Sequence, residues 1–158
     1  MVHELLRAGM SAPSAEDERP WHFIVVTDPE LRGRMQVHHP DIHILTHAPV
    51  SIVVCGDLAR QKAHGFWVQD CAAATENLLI EAQILGLGAV WLGIHPVEGR
   101  VQSFRGFFNI PETIVPFSIV AVGFPDEKKG PADRYDHTRI HFQNWNNQQM
   151  NDPTKGQE

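Results

Sequence analysis

Positive charge, cysteine and long apolar runs are all scarce in this chain, and each scarcity excludes something. Thirteen Lys and Arg stand against nineteen Asp and Glu in 158 residues, leaving a net charge of −6. A general nucleic-acid binder needs a concentrated basic surface to displace counterions, so that class is excluded, whereas a local anion site needs only a few donors and is not. The two cysteines, Cys55 and Cys71, have no CxxC spacing and fall in segments that read as buried. They point to reduced core thiols rather than to a disulfide framework. No stretch approaches the ~20 apolar residues of a membrane span, and Met1 is not followed by a charged-then-apolar leader, so the expectation is a cytoplasmic protein without membrane contact. Catalytic signatures are equally sparse. There is no G-x-S-x-G, and Ser14 has no partner His at a recognisable spacing. No Walker loop occurs, and "GLGAVWLG" precedes and crosses a strand instead of following one, so it is not a dinucleotide fingerprint.

What is present is an ordinary globular composition, 42% hydrophobic and 20% charged. The length fits one domain, able to bury roughly two-thirds of its unfolded surface. We expect that domain over 1–145, with a flexible tail over 146–158. Apolar spacing predicts a short helix over Val2–Met10. The β-branched run "HFIVVT" (His22–Thr27) predicts a strand between Pro20 and Asp28-Pro29. Asp28 as N-cap and Pro29 at the first helical position predict a helix over "PELRGRMQVH". "PVSIVVCGD" (Pro49–Asp57) predicts a second buried strand. The segment from Phe66 to Ala89, rich in Ala and Leu, predicts a long helix of about six turns, stopped at Gly86-Leu-Gly88 where glycine takes a left-handed cap. Its apolar residues run nearly all round, the mark of a buried helix, and Ala72 to Ala74 mark a close approach of another backbone. A strand "AVWLGI", a helix over Pro96–Ile110 and a strand over Val115–Pro125 follow. Strands alternating with helices indicate a layered α/β arrangement, α+β in class, around one sheet.

Two segments remain unexplained by this pattern: the loop "SAPSAEDERPW" before the first strand, and Trp91 to Arg100. A third, "HHPDIHILTH", spaces His39, His43 and His47 four apart, which on a continuous helix aligns three imidazoles. Pro40 interrupts it, no carboxylate completes a known set, and a surface loop is the better reading.

Four stretches carry a resemblance. "APSAEDERPWHFIVVTD" is similar to an A-P-S-x-x-N-x-Q-P-W-x-F-x-V-V loop and strand. "WVQDCAAATENLLIEAQILGLGAVWLGIHP" resembles a long core helix and a flavin-facing strand end. "IPETIVPFSIVAVGFP" resembles the next strand, and "DRYDHTRIHFQNW" a C-terminal arm. In register over most of Ala8 to Trp145, they resemble the FMN-dependent nitroreductase family.

The resemblance implies a nitroreductase fold: a central mixed sheet flanked by helices, with the C-terminal arm exchanged in a homodimer that shares two FMN sites. The alanine-rich helix then packs between subunits, and Tyr135, Phe142 and Trp145 anchor the arm on the partner. By the same resemblance Pro13, Ser14 and Ala15 run along the isoalloxazine. Leu92, Gly93 and Ile94 border flavin N5, where Gly93 permits close approach. Arg134 is a phosphate ligand, with Lys128, Lys129 and Arg139 as competitors. The implied activity passes hydride from NADH or NADPH through flavin N5 to a nitroaromatic, quinone or similar small electron-poor acceptor by a ping-pong mechanism. No acid–base side chain is required, and His95 lies near the site as either a substrate contact or a loop histidine.

Two departures from the family's pattern set expectations. The R-R-S-x-R motif that grips the FMN phosphate is not seen before Met1-Val2-His3; losing such charge-assisted bonds, each worth roughly 1.5–3 kcal/mol, weakens FMN binding. The family's Asn and Gln in the opening loop are Asp17 and Arg19 here, and Arg19 either pairs with Asp17 or donates to the ring or phosphate. These departures keep an alternative in view, a nitroreductase-fold dimer that binds flavin weakly and does no catalysis.

Overall fold

The computed structural model describes residues 1–39, 43–127, 130 and 132–146 and divides into two units, Met1–Asp126 and Glu127–Glu158. The expected tail beyond Asn146, together with Pro40, Lys128 and Lys129, lies outside the described residues.

In the first unit, α1 (Val2–Met10) buries Leu5 and Gly9, and β1 (Trp21–Val26) follows the opening loop. Asp28 then caps α2 (Pro29–Met35), its side chain accepting from Leu31 N at 2.7 Å. The helix expected to run on to His38 tightens instead into a 3-10 turn over Gln36–His38. After α3 (Ile44–His47) come β2 (Val50–Asp57) and α4 (Trp67–Ile84). The long helix is shorter than the six turns expected but stops at the expected glycines. Gly86 takes a left-handed φ of 71°, and Leu87 N turns back to Ala82 O at 2.8 Å, which satisfies a terminal carbonyl and frees the chain for β3 (Gly88–Gly93). α5 (Glu98–Phe108) ends on the left-handed Asn109, and β4 (Ile114–Gly123) completes the unit.

The strands form one sheet in the order β1-β2-β4-β3. The layered α+β architecture is as expected, but the expected mixed pairing is corrected: every strand pair among the described residues is antiparallel. The reason lies in the crossover. β2 and β3 are joined through α4 and run in the same direction, but β4 enters between them and separates the two parallel strands. Central β2 reads Ile52 and Val54 to one face, Val53 and Cys55 to the other, so the sheet has a core on each side. α1 and α4 cover the first with Leu5, Trp67, Cys71, Ala74 and Leu78. α2, α3 and α5 cover the second with Met35, Leu45, Val101 and Phe104. A register shift opposite Val54/Cys55 gives β4 one extra residue, Phe117, whose side chain joins the α4 face.

The second unit holds a 3-10 turn over His137–Arg139, capped by Asp136, which accepts from Thr138 N at 3.0 Å. The His141 and Trp145 rings stack at 4.3 Å. Tyr135 and Trp145 are exposed within it. No helix among the described residues is long and apolar enough to cross a membrane.

Candidate functional site

The opening loop is held from beneath by buried carboxyls. Ala15 N donates to Asp70 Oδ1 at 3.0 Å. Glu18 Oε2 accepts from Lys62 N at 2.7 Å and Ala63 N at 3.0 Å. Pro20 O accepts from Asp57 N at 2.7 Å, tying the loop's end to the end of β2. Between these anchors Glu16, Asp17 and Arg19 all take left-handed φ values of 45–52°, a conformation that costs non-glycine residues roughly 1–2 kcal/mol each. Anchoring at both ends keeps it in place. The result is a rigid shelf: Pro13 is exposed, Ser14 and Ala15 are half-buried. Ser14 Oγ accepts from Arg19 N at 3.0 Å, which leaves the Ser14 O–H proton able to reach an outside acceptor.

Asp17 and Arg19 resolve the choice left open by the sequence. Arg19 Nε and Nη2 donate to the two Asp17 oxygens at 2.6 and 2.8 Å. This fork holds the Asp17 carboxyl below, and the Arg19 guanidinium above, their ordinary pKa ranges. Both side chains stay exposed.

At the end of β3 the three expected residues divide. Leu92 and Ile94 are buried in the α5-side core, and Ile94 N donates to Phe117 O at 3.0 Å. Antiparallel alternation therefore turns the Gly93 N–H and C=O away from β4, toward the outer edge of the sheet. The carbonyl is taken by His39 Nε2 and Arg100 Nη1, each at 3.1 Å. Gly93 is exposed, and a Cβ added to it would meet nothing within 4 Å, so nothing inside the described chain requires glycine there. An open edge with an outward N–H is a cradle for a flat ligand, and the residues present fit such a group.

The first turn of α4 serves both segments. Asp70 holds Ala15, while Trp67, one turn earlier, packs against His95 with ring centroids 4.9 Å apart. His95 also stacks on Phe117 at 6.2 Å. Burial pushes its pKa below the ordinary histidine value, so it packs as a neutral ring at neutral pH. Arg134 lies in the second unit, exposed, and of its expected competitors Arg139 is paired with Asp136 at 2.9 Å. The three spaced histidines take separate roles: His39 turns to Gly93 O, His43 meets Gln36 Nε2 at 2.8 Å, and His47 Nδ1 approaches His43 O at 3.1 Å. Among the described residues no group of three or more His, Cys, Asp or Glu side chains gathers as metal ligands. Burial pushes the Cys55 thiol up to about 12, and Cys71 still further, so neither is a thiolate nucleophile.

Sequence reasoning missed Glu18 and Asp70. A signal was present, since Asp70 falls on the stripe Trp67, Cys71, Ala74, Leu78 that α4 buries, where an acid without a purpose is costly.

The model of the family described as the nitroreductase family matches residues 40–124, more than half of the chain. The chain belongs to the nitroreductase family. A relative in Methanothermobacter thermautotrophicus, which carries the provisional name NADH dehydrogenase/NAD(P)H nitroreductase, is 47% identical over 145 residues, covering 92% of this chain and 76% of its own. A solved structure from Clostridium acetobutylicum, provisionally named an NADH oxidase, superposes with a TM-score of 0.88 at 41% identity, covering 91% of this chain and 87% of that one. A provisionally named nitroreductase from Desulfovibrio desulfuricans, solved in complex with FMN, gives 0.72 at 28% identity over 85% of this chain and 78% of its own. Its FMN belongs to that protein.

Proposed function

We propose that this nitroreductase-family chain is an FMN-dependent oxidoreductase that oxidises NADH or NADPH and reduces nitroaromatic, quinone or similar electron-poor acceptors. The observation that carries this reading is the Gly93 edge, where an outward N–H and a missing Cβ leave room for a planar ring. The chemistry FMN supplies when bound is two-electron transfer between nicotinamide and acceptor, in the alternating half-reactions of a ping-pong scheme.

The chain's own residues bind and orient. The Pro13-Ser14-Ala15 shelf lies along the ring, with the Ser14 hydroxyl donating to its polar edge. Leu92 and Ile94 fix the strand from behind, so that the Gly93 N–H is aimed rather than mobile. Arg134 pairs with the phosphate. Two copies share each site, a reading supported by the exposed Ile80 (51%) and Ile84 (71%) on α4 and by Tyr135 and Trp145, which lie uncovered in the second unit. The Asp17–Arg19 fork favours the second reading, a flavin-poor dimer, because the Arg19 donors already serve Asp17.

The deciding experiment titrates the purified chain with FMN. Bound flavin absorbance with NAD(P)H oxidation, and parallel double-reciprocal lines when acceptor is varied, are expected. Protein that takes up no FMN overturns the enzyme reading.

A further inference from the structure

Glu18 and Asp70 are both almost wholly buried, at 3% and 4% exposure, and they sit directly beneath the shelf. Both hang from one short stretch of the loop, since Asp70 Oδ1 accepts from Ala15 N and Ala15 O accepts from Glu18 N at 2.9 Å, and each carboxyl shifts the other's titration. One oxygen of each is already committed: Asp70 Oδ1 to Ala15 N, and Glu18 Oε2 to the Lys62 and Ala63 N–H groups. The remaining two, Glu18 Oε1 and Asp70 Oδ2, are buried and have no recorded hydrogen-bond partner among the described residues. Two carboxylates offer no hydrogen to each other, so a bond between these oxygens requires one proton. Glu18 takes two backbone N–H bonds and faces a cation, which favours its ionised form. Asp70 takes one, which leaves Asp70 to carry the proton.

We propose that Asp70 is kept as a neutral carboxylic acid whose Oδ2–H donates to the Glu18 carboxylate, and that this single proton locks the Pro13–Ala15 shelf in place. Asp70 is thus a positioning residue: it holds Ala15 N with one oxygen and the loop's buried acid with the other. The lock rests on the proposed flavin role of the shelf only for its functional consequence.

The surrounding charges are few. Lys62 lies on the Glu18 side, its Nζ donating to Glu16 O at 3.1 Å, and Arg60 Nε reaches Glu18 O at 3.4 Å. The Cys71 thiol neighbours Asp70 and is itself held protonated by burial. Asp17 and Arg19 neutralise each other in the same loop. Burial raises the Asp70 pKa, with the Glu18 charge adding to it. For Glu18, burial opposes the charged form, but the Ala63 and Lys62 N–H groups prevail and its pKa is lowered. The signs follow. The Asp70 contribution to stability is in place below the ordinary aspartate value and is lost as pH rises through its raised pKa. The Glu18 contribution is in place above the ordinary glutamate value and is lost as pH falls through its lowered one. The lock is complete only between those two limits. On the alkaline side the Asp70 proton leaves to water, and two buried anions repel beneath the shelf.

Asp70→Asn tests this, because the amide keeps an acceptor for Ala15 N and supplies a permanent donor to Glu18. In the full-length wild-type chain, the infrared spectrum at neutral pH should show a protonated carboxylic acid carbonyl band that is absent from Asp70→Asn. The wild-type dissociation constant for FMN should rise by about tenfold per pH unit above the Asp70 pKa, and that of Asp70→Asn should stay flat. The thermal midpoint without FMN should follow the same contrast. A wild-type spectrum lacking the band, or an Asp70→Asn protein that keeps the wild-type alkaline decline, overturns the lock. If no FMN binds at any pH, the flavin reading alone fails, and the band and the midpoint still decide whether the proton is there.

Discussion

Gly93 and Gly56 are both glycines beside the proposed site, and they are glycine for opposite reasons. A Cβ on Gly56 would fall 2.4 Å from Trp67 Cε3, so the need there is internal, whereas a Cβ on Gly93 would enter open space. Gly93→Val should therefore leave the thermal midpoint of the chain unchanged, since valine suits an edge strand, while weakening FMN binding by about tenfold or more; a fluorescence titration beside a melting curve reads both. Loss of fold without loss of affinity would remove Gly93 from the site. The sequence made Gly93 conspicuous by resemblance, and it made Asp17 and Arg19 conspicuous as charges where amides were expected. It left Glu18 among the loop's ordinary charges, because nothing local distinguishes a buried glutamate from its exposed neighbours Glu16 and Asp17. Its partners, Lys62, Ala63 and Asp70, are more than forty residues away.

Among the elements, α4 is closely fitted against β2 at Gly56. The edge of the Trp67 ring formed by Cε3 and Cζ3 lies against Gly56, with Cys71 also within reach of a Cβ there. Gly56→Ala should cost about 1–3 kcal/mol through overpacking, seen as a lowered denaturant midpoint with an unchanged slope. The existence of each strand and long helix was legible because β-branched runs and alanine-rich runs declare themselves locally. Helix ends were legible where glycine marks them: α4 ends at Ile84 because Gly86 turns left-handed and Leu87 doubles back, at the expected Gly86-Leu-Gly88 stop. Strand order was not legible. That β4 enters between β2 and β3, making an antiparallel sheet from a parallel crossover, depends on pairings such as Val50↔Val122 that no local pattern encodes.

At the scale of the whole molecule, the α4 surface carrying Ile80 and Ile84, four residues apart and both exposed, is the place to test assembly. Replacing the exposed Ile84 with Asp should leave the chain folded with wild-type stability and abolish the proposed dimer, as read by light scattering after gel filtration. A dimer of undiminished strength would place the interface elsewhere. The apolar count of the helix hinted at such a surface, yet composition does not say which apolar residues the chain itself covers, and only the folded unit leaves Ile80 and Ile84 exposed.

The position of β4 also governs the order of events while the chain is being made. Both strands that flank it, β2 and β3, leave the ribosome before it does, and neither has its inner neighbour until residues through Gly123 have emerged. Until then the only pairing of the sheet the nascent chain can close is β1–β2. The last strand of the sheet is thus the one that joins its two halves, and until it emerges the inner edges of β2 and β3 both stay unpaired.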